Sequence, residues 1–252
     1  MSAIEYQKDG AVGVVTMSKP PHNLIDNAML AELTAAYTKA VAEGCRSILL
    51  RSSMRHFCAG ADLNLIAAER ASQQELTALW NALEEVPIPT VAAVHGAALG
   101  GGFELALMCD MIVAADTASF GMAEASLGLL PLLGGVQRVV QRCGPARGKE
   151  LAMFGRRQDP HALERWGVIN LVAAESELAG VSLSWARQLA AGATVALRAI
   201  KTVANLASQG GSALADARQA EVNGWMWESE DQRRGLAAFV ATGPGSAIFE
   251  GN

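Results

Sequence analysis

The run TVAAVHGAALGGGFELALMCDMIVAA, residues 90–115, leaves a chain little freedom of fold. Thr90–His95 is a short apolar run of the kind that forms a strand buried on both faces. Gly101–Met108 reads as a short helix, and Met111–Ala115 returns to a strand. Strands joined through a helix pair in parallel, because the crossover brings the chain back to the edge it left. The alternation extends upstream, with a strand at Val12–Met17, a helix at Asn27–Ala42, a strand at Ser47–Ser52 and a helix at Ser72–Glu85. Pro87 and Pro89 end that last helix. From about Gly134 onward the pattern is mostly helical, with a short strand at Val168–Val172 and helices over 176–192, 194–208 and 211–228. Gly210 and Gly211 separate the last two. The fold class is therefore α/β, with a helical C-terminal part.

Composition narrows the function. In 252 residues, 51% are hydrophobic and 18% charged, which supports a large core and argues against disorder. So lean a surface suggests cover by other subunits. The net charge is −5 and no Lys/Arg-rich run stands out, so no nucleic-acid partner is expected. No uninterrupted apolar run reaches membrane-spanning length, and the start, MSAIEYQKDGAVGVVTMSKP, lacks a signal-peptide layout, so a cytoplasmic location and no membrane partner are expected. Cys45, Cys58, Cys109 and Cys143 share no CxxC spacing, and His22, His56, His95 and His161 form no HExxH, so no metal site or disulfide framework is expected. There is no Walker loop, no GxGxxG after a strand and no GxSxG elbow.

The chemistry-bearing residues lie at small-residue turns. Gly100, Gly101 and Gly102 lead into a helix, and Glu104 follows one turn inside it. The first N–H groups of a helix lack intrahelical partners and carry the positive end of its dipole. With no Cβ in the way, such an N–H can reach an oxygen that gains charge during reaction. The same stretch also fits an ordinary turn with an acid placed for the dipole, and it does not decide between the two. HFCAGADL, residues 56–63, places a second small-residue turn, Ala59-Gly60-Ala61, beyond a strand, where ligands bind in open α/β sheets. Asp62 there suits the cap of a following helix. In ASFGMAEASLGLLPLLGGVQR, residues 118–138, Glu124 is an isolated acid among apolar neighbours. It is either a working carboxylate raised in pKa by burial or a surface acid paired with Arg138 or Arg142. Cys58 beside the turn reads as a small buried residue, since His56 is a weak candidate for the base a nucleophile needs.

Together HFCAGADL, AVHGAALGGGFELALMCDMIVAADTASFG, EASLGLLPLLGGVQR and the C-terminal SEDQRRGLAAF resemble the crotonase (enoyl-CoA hydratase/isomerase) superfamily in order, residue type and spacing, from about Tyr6 to Phe239. The resemblance implies a spiral of ββα units over 1–190 and a helical trimerisation region over 191–252. It implies an acyl-CoA thioester substrate, no separate cofactor, and a homotrimer or homohexamer built as a dimer of trimers. By motif position Ala61 and Gly101 match two oxyanion-hole N–H donors, and Glu104 and Glu124 the two acids of the hydratase branch, with Glu124 as C2 proton donor and Glu104 as water-orienting partner. Lys19, His22, Leu24, Arg55, Ala59, Asp62, Leu63, Leu132 and Phe239 fall where substrate or CoA would be bound. The implied reaction is hydration of a 2-enoyl-CoA. A Δ3,Δ2-enoyl-CoA isomerase, another reaction on an acyl-CoA and a non-catalytic acyl-CoA-binding scaffold are the alternatives.

The chain departs from the family pattern in places. Leu132 and Leu133 replace small residues, Val136 replaces a hydroxyl, and Ala123 stands where a proline often precedes the second acid. Thr242 stands where a Lys or Arg often meets a CoA phosphate, which turns attention to Lys19 and Arg55. Trp225 and Trp227 suit core or interface packing.

Overall fold

The computed structural model describes residues 2–62 and 73–252, with 73–77 described by backbone alone. Six strands form one sheet in the order β1-β2-β3-β4-β6-β8. They are β1 (Ile4–Asp9), β2 (Val12–Met17), β3 (Ser47–Ser52), β4 (Thr90–Val94), β6 (Met111–Ala115) and β8 (Leu171–Ala173). Only the β1–β2 hairpin is antiparallel; every later pair is parallel. All residues of β2 and β4 are buried, which is why they read as unbroken apolar runs.

A second, narrower layer positions the site. β5 (Ala97–Leu99) pairs in parallel with β7 (Ser119–Gly121). Isolated bridges extend this layer, with Ile25 beside Ala61 and Cys58 beside Ala98. Each main strand is thus followed by a short extended piece in the second layer: Ile25 after β2, Cys58 and Ala61 after β3, β5 after β4, and β7 after β6. A helix or helical turn follows three of these pieces: α1 (Asn27–Ala42) after Ile25, α3 (Gly101–Met108) after β5, and the 3₁₀ turn Glu124–Leu127 after β7. The result is a spiral of strand, strand and helix, as expected. The helix α2 (Gln73–Glu84) precedes β4.

After the spiral come α4 (Gly135–Phe154), α5 (Pro160–Arg165), α6 (Leu178–Ala191), α7 (Thr194–Trp227) and α8 (Glu230–Thr242). Gly211 breaks α7 with φ +76°, at the expected interruption. The C-terminal helices are fastened to the sheet by side chains. Arg46, just before β3, donates to Thr194 Oγ1 at 2.8 Å and to the Phe249 carbonyl at 2.8 Å, and Lys201 pairs with Asp110 at 2.9 Å.

Two expectations shift. The strand expected at Val168–Val172 is Leu171–Ala173, because Asn170 begins the pairing: its N–H donates to the Ile112 carbonyl and its side-chain oxygen accepts from Ile112 N–H. Val168 and Ile169 are instead buried in a bend. The helix expected from Ser72 is described from Gln73 to Glu84. Among the described residues no helix is long and apolar enough to cross a membrane, and no group of His, Cys, Asp and Glu has metal-binding geometry.

Candidate active site

The two glycine-rich turns meet in the second layer. Cys58 N–H donates to the Ala97 carbonyl and Leu99 N–H to the Cys58 carbonyl, which places the two turns side by side. Gly102 makes the closeness possible, since a Cβ there would lie 2.2 Å from the Cys58 carbonyl oxygen. A Cβ on Gly101 would lie 3.6 Å from the Ala61 nitrogen. Neither the Ala61 nor the Gly101 N–H donates to any described residue. Two free donors therefore stand together, one of them at the first position of α3, where the helix dipole adds positive potential.

Both acids converge on the same turn. Glu104 is 1% exposed, in the first turn of α3, with its N–H on the Gly100 carbonyl. Its Oε1 accepts from Leu133 N–H at 2.9 Å and Gly135 N–H at 2.8 Å, and Oε2 has no hydrogen bond to the described residues. Burial pushes the carboxyl up to about 7, against the two N–H donors that hold it down, and Glu124 adds to the rise. Glu124 starts the 3₁₀ turn after β7. Its Oε1 lies 2.7 Å from where a Gly100 Cβ would stand, and its buried Oε2 has no hydrogen-bond partner among the described residues. Burial raises this carboxyl as well. Gly100 has φ +49°, so both its conformation and the closeness of Glu124 require glycine.

The alternative partners for Glu124 are engaged elsewhere. Arg138 pairs with Glu84 at 2.5 Å, and Arg142 donates to the carbonyls of Leu107, Cys109 and Val168. A buried carboxylate oxygen without a partner is rare and costly unless a ligand uses it. Cys58 is no nucleophile: burial pushes its thiol up to about 12, and Sγ donates to the Asn23 carbonyl at 3.0 Å. His56 cannot activate it, because His56 Nδ1 accepts from Ala97 N–H.

With this geometry in place, relatives become informative. The family model for enoyl-CoA hydratase/isomerase matches residues 7–247. The chain belongs to the enoyl-CoA hydratase/isomerase family. A probable enoyl-CoA hydratase of Mycobacterium tuberculosis is 34% identical over 242 residues, covering 94% of each chain. A carnitinyl-CoA dehydratase of Proteus mirabilis is 35% identical over 206 residues, covering 79% of each. The crystal structure of an enoyl-CoA hydratase subunit I from Geobacillus kaustophilus superposes with a TM-score of 0.92 at 35% identity, over 99% of this chain and 98% of the other. This is the α/β crotonase fold with C-terminal helices.

The substrate-side residues expected from the sequence separate into groups. Lys19 is committed within its loop, with Nζ on Asp26 and on the Leu24 carbonyl at 2.9 Å. His22 packs its ring 5.5 Å from His56 and accepts from Ala59 N–H through its carbonyl. Arg55 is exposed, and Asp62 N–H donates to the Ile25 carbonyl. Leu63, and the helix that Asp62 was expected to cap, lie outside the described residues. Phe239 is 59% exposed on α8, beside Val240 and Leu236, which are exposed too. Leu132 borders a cavity of about 280 Å³, between Trp80 and Asn81 on α2 and Leu130, Leu133 and Arg138 opposite.

Sequence reasoning missed the groups that hold Glu104. Leu133 and Gly135 act through backbone N–H, so their side chains carry no sign of it. The Gly134-Gly135 pair at the start of α4 was the available signal, a second glycine-led helix start like Gly100-Gly101. Asn23 was also missed. It is fully buried with φ +53°, a conformation Asn tolerates, and its side chain donates to Ser52 Oγ at 2.8 Å and the Phe57 carbonyl at 3.0 Å. It fixes the loop carrying Lys19, His22 and Leu24 to the end of β3.

Proposed function

We propose that the chain is an enoyl-CoA hydratase, adding water reversibly and syn across the 2,3 double bond of a 2-enoyl-CoA thioester. One observation carries the reading: the buried Glu104 carboxyl and the half-buried Glu124 carboxyl, neither in an ion pair among the described residues, flank a turn that offers two N–H donors left free by those residues. In this reading the thioester oxygen sits against the Ala61 and Gly101 N–H groups. Water attack at C3 pushes negative charge onto that oxygen, where the donors stabilise it; one such donor is typically worth about 3 kcal/mol. Glu104, oriented through Oε1, presents Oε2 to the attacking water. Glu124 gives a proton to C2 and recovers one from the water, so one water is added and neither acid changes over the cycle. Two acids beside one water also separate their proton affinities, which lets Glu104 stay ionised while Glu124 carries the proton.

The cavity beside Leu132 supports an acyl group lying between α2 and the loop before α4. The exposed apolar residues of the C-terminal helices, Trp227, Leu236, Phe239 and Val240, support assembly into a trimer or a pair of trimers. A cytoplasmic enzyme free of any added cofactor goes with this reading.

The test is a panel of 2-enoyl-CoA esters, short, long, branched and aromatic. Loss of the conjugated thioester absorbance with a mass gain of one water supports hydration. Binding without water gain, but with movement of the double bond, would replace it by isomerisation. Glu104→Gln and Glu124→Gln are each expected to lower turnover at least a hundredfold while leaving CoA-ester binding intact.

A further inference from the structure

Glu104 is held by a loop, and that loop is itself held from outside the site. Its two donors, Leu133 N–H and Gly135 N–H, flank Gly134. Arg138 Nη1 reaches back to the carbonyls of Leu133 at 3.4 Å and Gly134 at 3.2 Å. Gly134 has φ +81°, and a Cβ on it would lie 2.1 Å from that same Nη1, so only glycine lets the guanidinium close over the loop. The other edge of the guanidinium is fixed by Glu84, the last residue of α2, with Nη2 to Oε2 at 2.5 Å and Nε to Oε1 at 3.2 Å. This two-pronged pair is mostly shielded, its side chains 14% and 24% exposed, a setting in which geometry is firmly fixed.

We propose that Arg138, anchored by Glu84, is a positioning residue for Glu104, acting through the backbone of Leu133–Gly135. The Gly134 carbonyl that Arg138 grips shares its peptide unit with the Gly135 N–H, and the Leu133 carbonyl belongs to the residue whose N–H is the other donor, so the grip sets where Glu104 Oε1 is held and where Oε2 faces. The Arg138 charge also favours the ionised form of Glu104, opposing burial. Because Arg138 and Trp80 border the same cavity, the brace joins both of its walls.

The inference rests on Glu104 working as proposed above, so the test includes a readout that needs no turnover. In Arg138→Gln, kcat is expected to fall about tenfold to a hundredfold with KM changed less than threefold, because the lost element is orientation of a reacting group. The pH at which kcat rises is expected to move upward, since a cation that favours the carboxylate is gone. Glu84→Gln leaves that cation in place and loosens only its anchor, so it is expected to lower kcat more mildly without an upward move. Arg138→Lys keeps the charge and loses the fork, so it is expected to keep the pH position with part of the kcat loss. Carboxyl-carbon NMR of labelled glutamate reads Glu104 titration directly in each folded variant, whether or not enoyl-CoA is hydrated. If Glu104 titrates at the same pH in wild type and Arg138→Gln, or if all three variants lose stability and KM along with kcat, the positioning role is overturned. A wild type that fails to hydrate any ester, with the NMR shift still present, overturns the reaction and leaves the brace.

Discussion

Glu104 and Gly135 fill one space from two sides: Oε1 accepts from Gly135 N–H at 2.8 Å, and a Cβ on Gly135 would lie 2.8 Å from Glu104 Cγ and 2.9 Å from Oε1. Contacts under 3 Å between unbonded heavy atoms of this kind are repulsive, so any side chain at Gly135 moves the acid. The neighbouring Met122 Cε, 3.0 Å from the same point, closes the other way out. Gly135→Ala is therefore expected to lower turnover about a hundredfold, as misplacement of a reacting group by about 1 Å does. Circular dichroism should show the protein still folded, with kcat rather than KM carrying the loss.

The raised carboxyl of Glu104 makes stability depend on pH in an unusual direction. A glutamate near 4.5 when unfolded and about 7 when folded binds more proton in the native state between those values. Stability then falls as pH rises through that window, and is flat above it. Glu104→Gln removes the charge, so the variant is expected to match wild type near pH 4 and to exceed it by roughly 3 kcal/mol above pH 7, the worth of such a shift. Urea unfolding at pH 5 and pH 8 checks this; a gap that fails to widen contradicts it. Turnover of the wild type should rise with pH through about 7, because the ionised Glu104 is the form that accepts the hydrogen bond orienting the water.

Much of this was legible in the chain, for a physical reason. β2, β3 and β6 fall where their apolar runs place them, at Val12–Met17, Ser47–Ser52 and Met111–Ala115, since strands buried on both faces need continuous hydrophobicity. The short strands Ala97–Leu99 and Ser119–Gly121 left no pattern, because three residues carry no period and their partners are distant in sequence. The glycine turns announced that backbone would be used, but not which oxygen it would serve. Arg138 stood in the sequence as a partner for Glu124, and the fold gives it to Glu84; a long side chain's choice among carboxylates is set by tertiary distance alone.

Cys58 sits beside the Ala61 donor yet is chemically quiet. Its thiol is buried, pushed up to about 12, and already donates to Asn23. Iodoacetamide at pH 8 is expected to leave Cys58 unmodified in the native protein and to label it fully in urea, with peptide mass mapping as the readout. Labelling of native Cys58 at the rate of an exposed thiol contradicts this burial.

Gly102 carries the structural requirement on which the paired donors depend. A methyl there would lie 2.2 Å from the Cys58 carbonyl oxygen, 2.8 Å from its carbon and 2.8 Å from its Cβ. None of these atoms can rotate away, because the Cys58 backbone is bonded on both sides, to Ala97 and to Leu99. Relief requires the turn at 58–61 to move off α3, which separates the Ala61 N–H from the Gly101 N–H. Gly102→Ala is therefore expected to cost about 2–4 kcal/mol, in the upper range for overpacking a core, and to lose turnover even where it folds. Gly128→Ala is the control: that glycine has φ +71° but no atom within 4 Å of an added Cβ, so it bears backbone strain without a clash. It is expected to cost only about 1 kcal/mol. Equal losses in the two variants would mean that glycine conformation, and not the closeness of the two turns, limits the site.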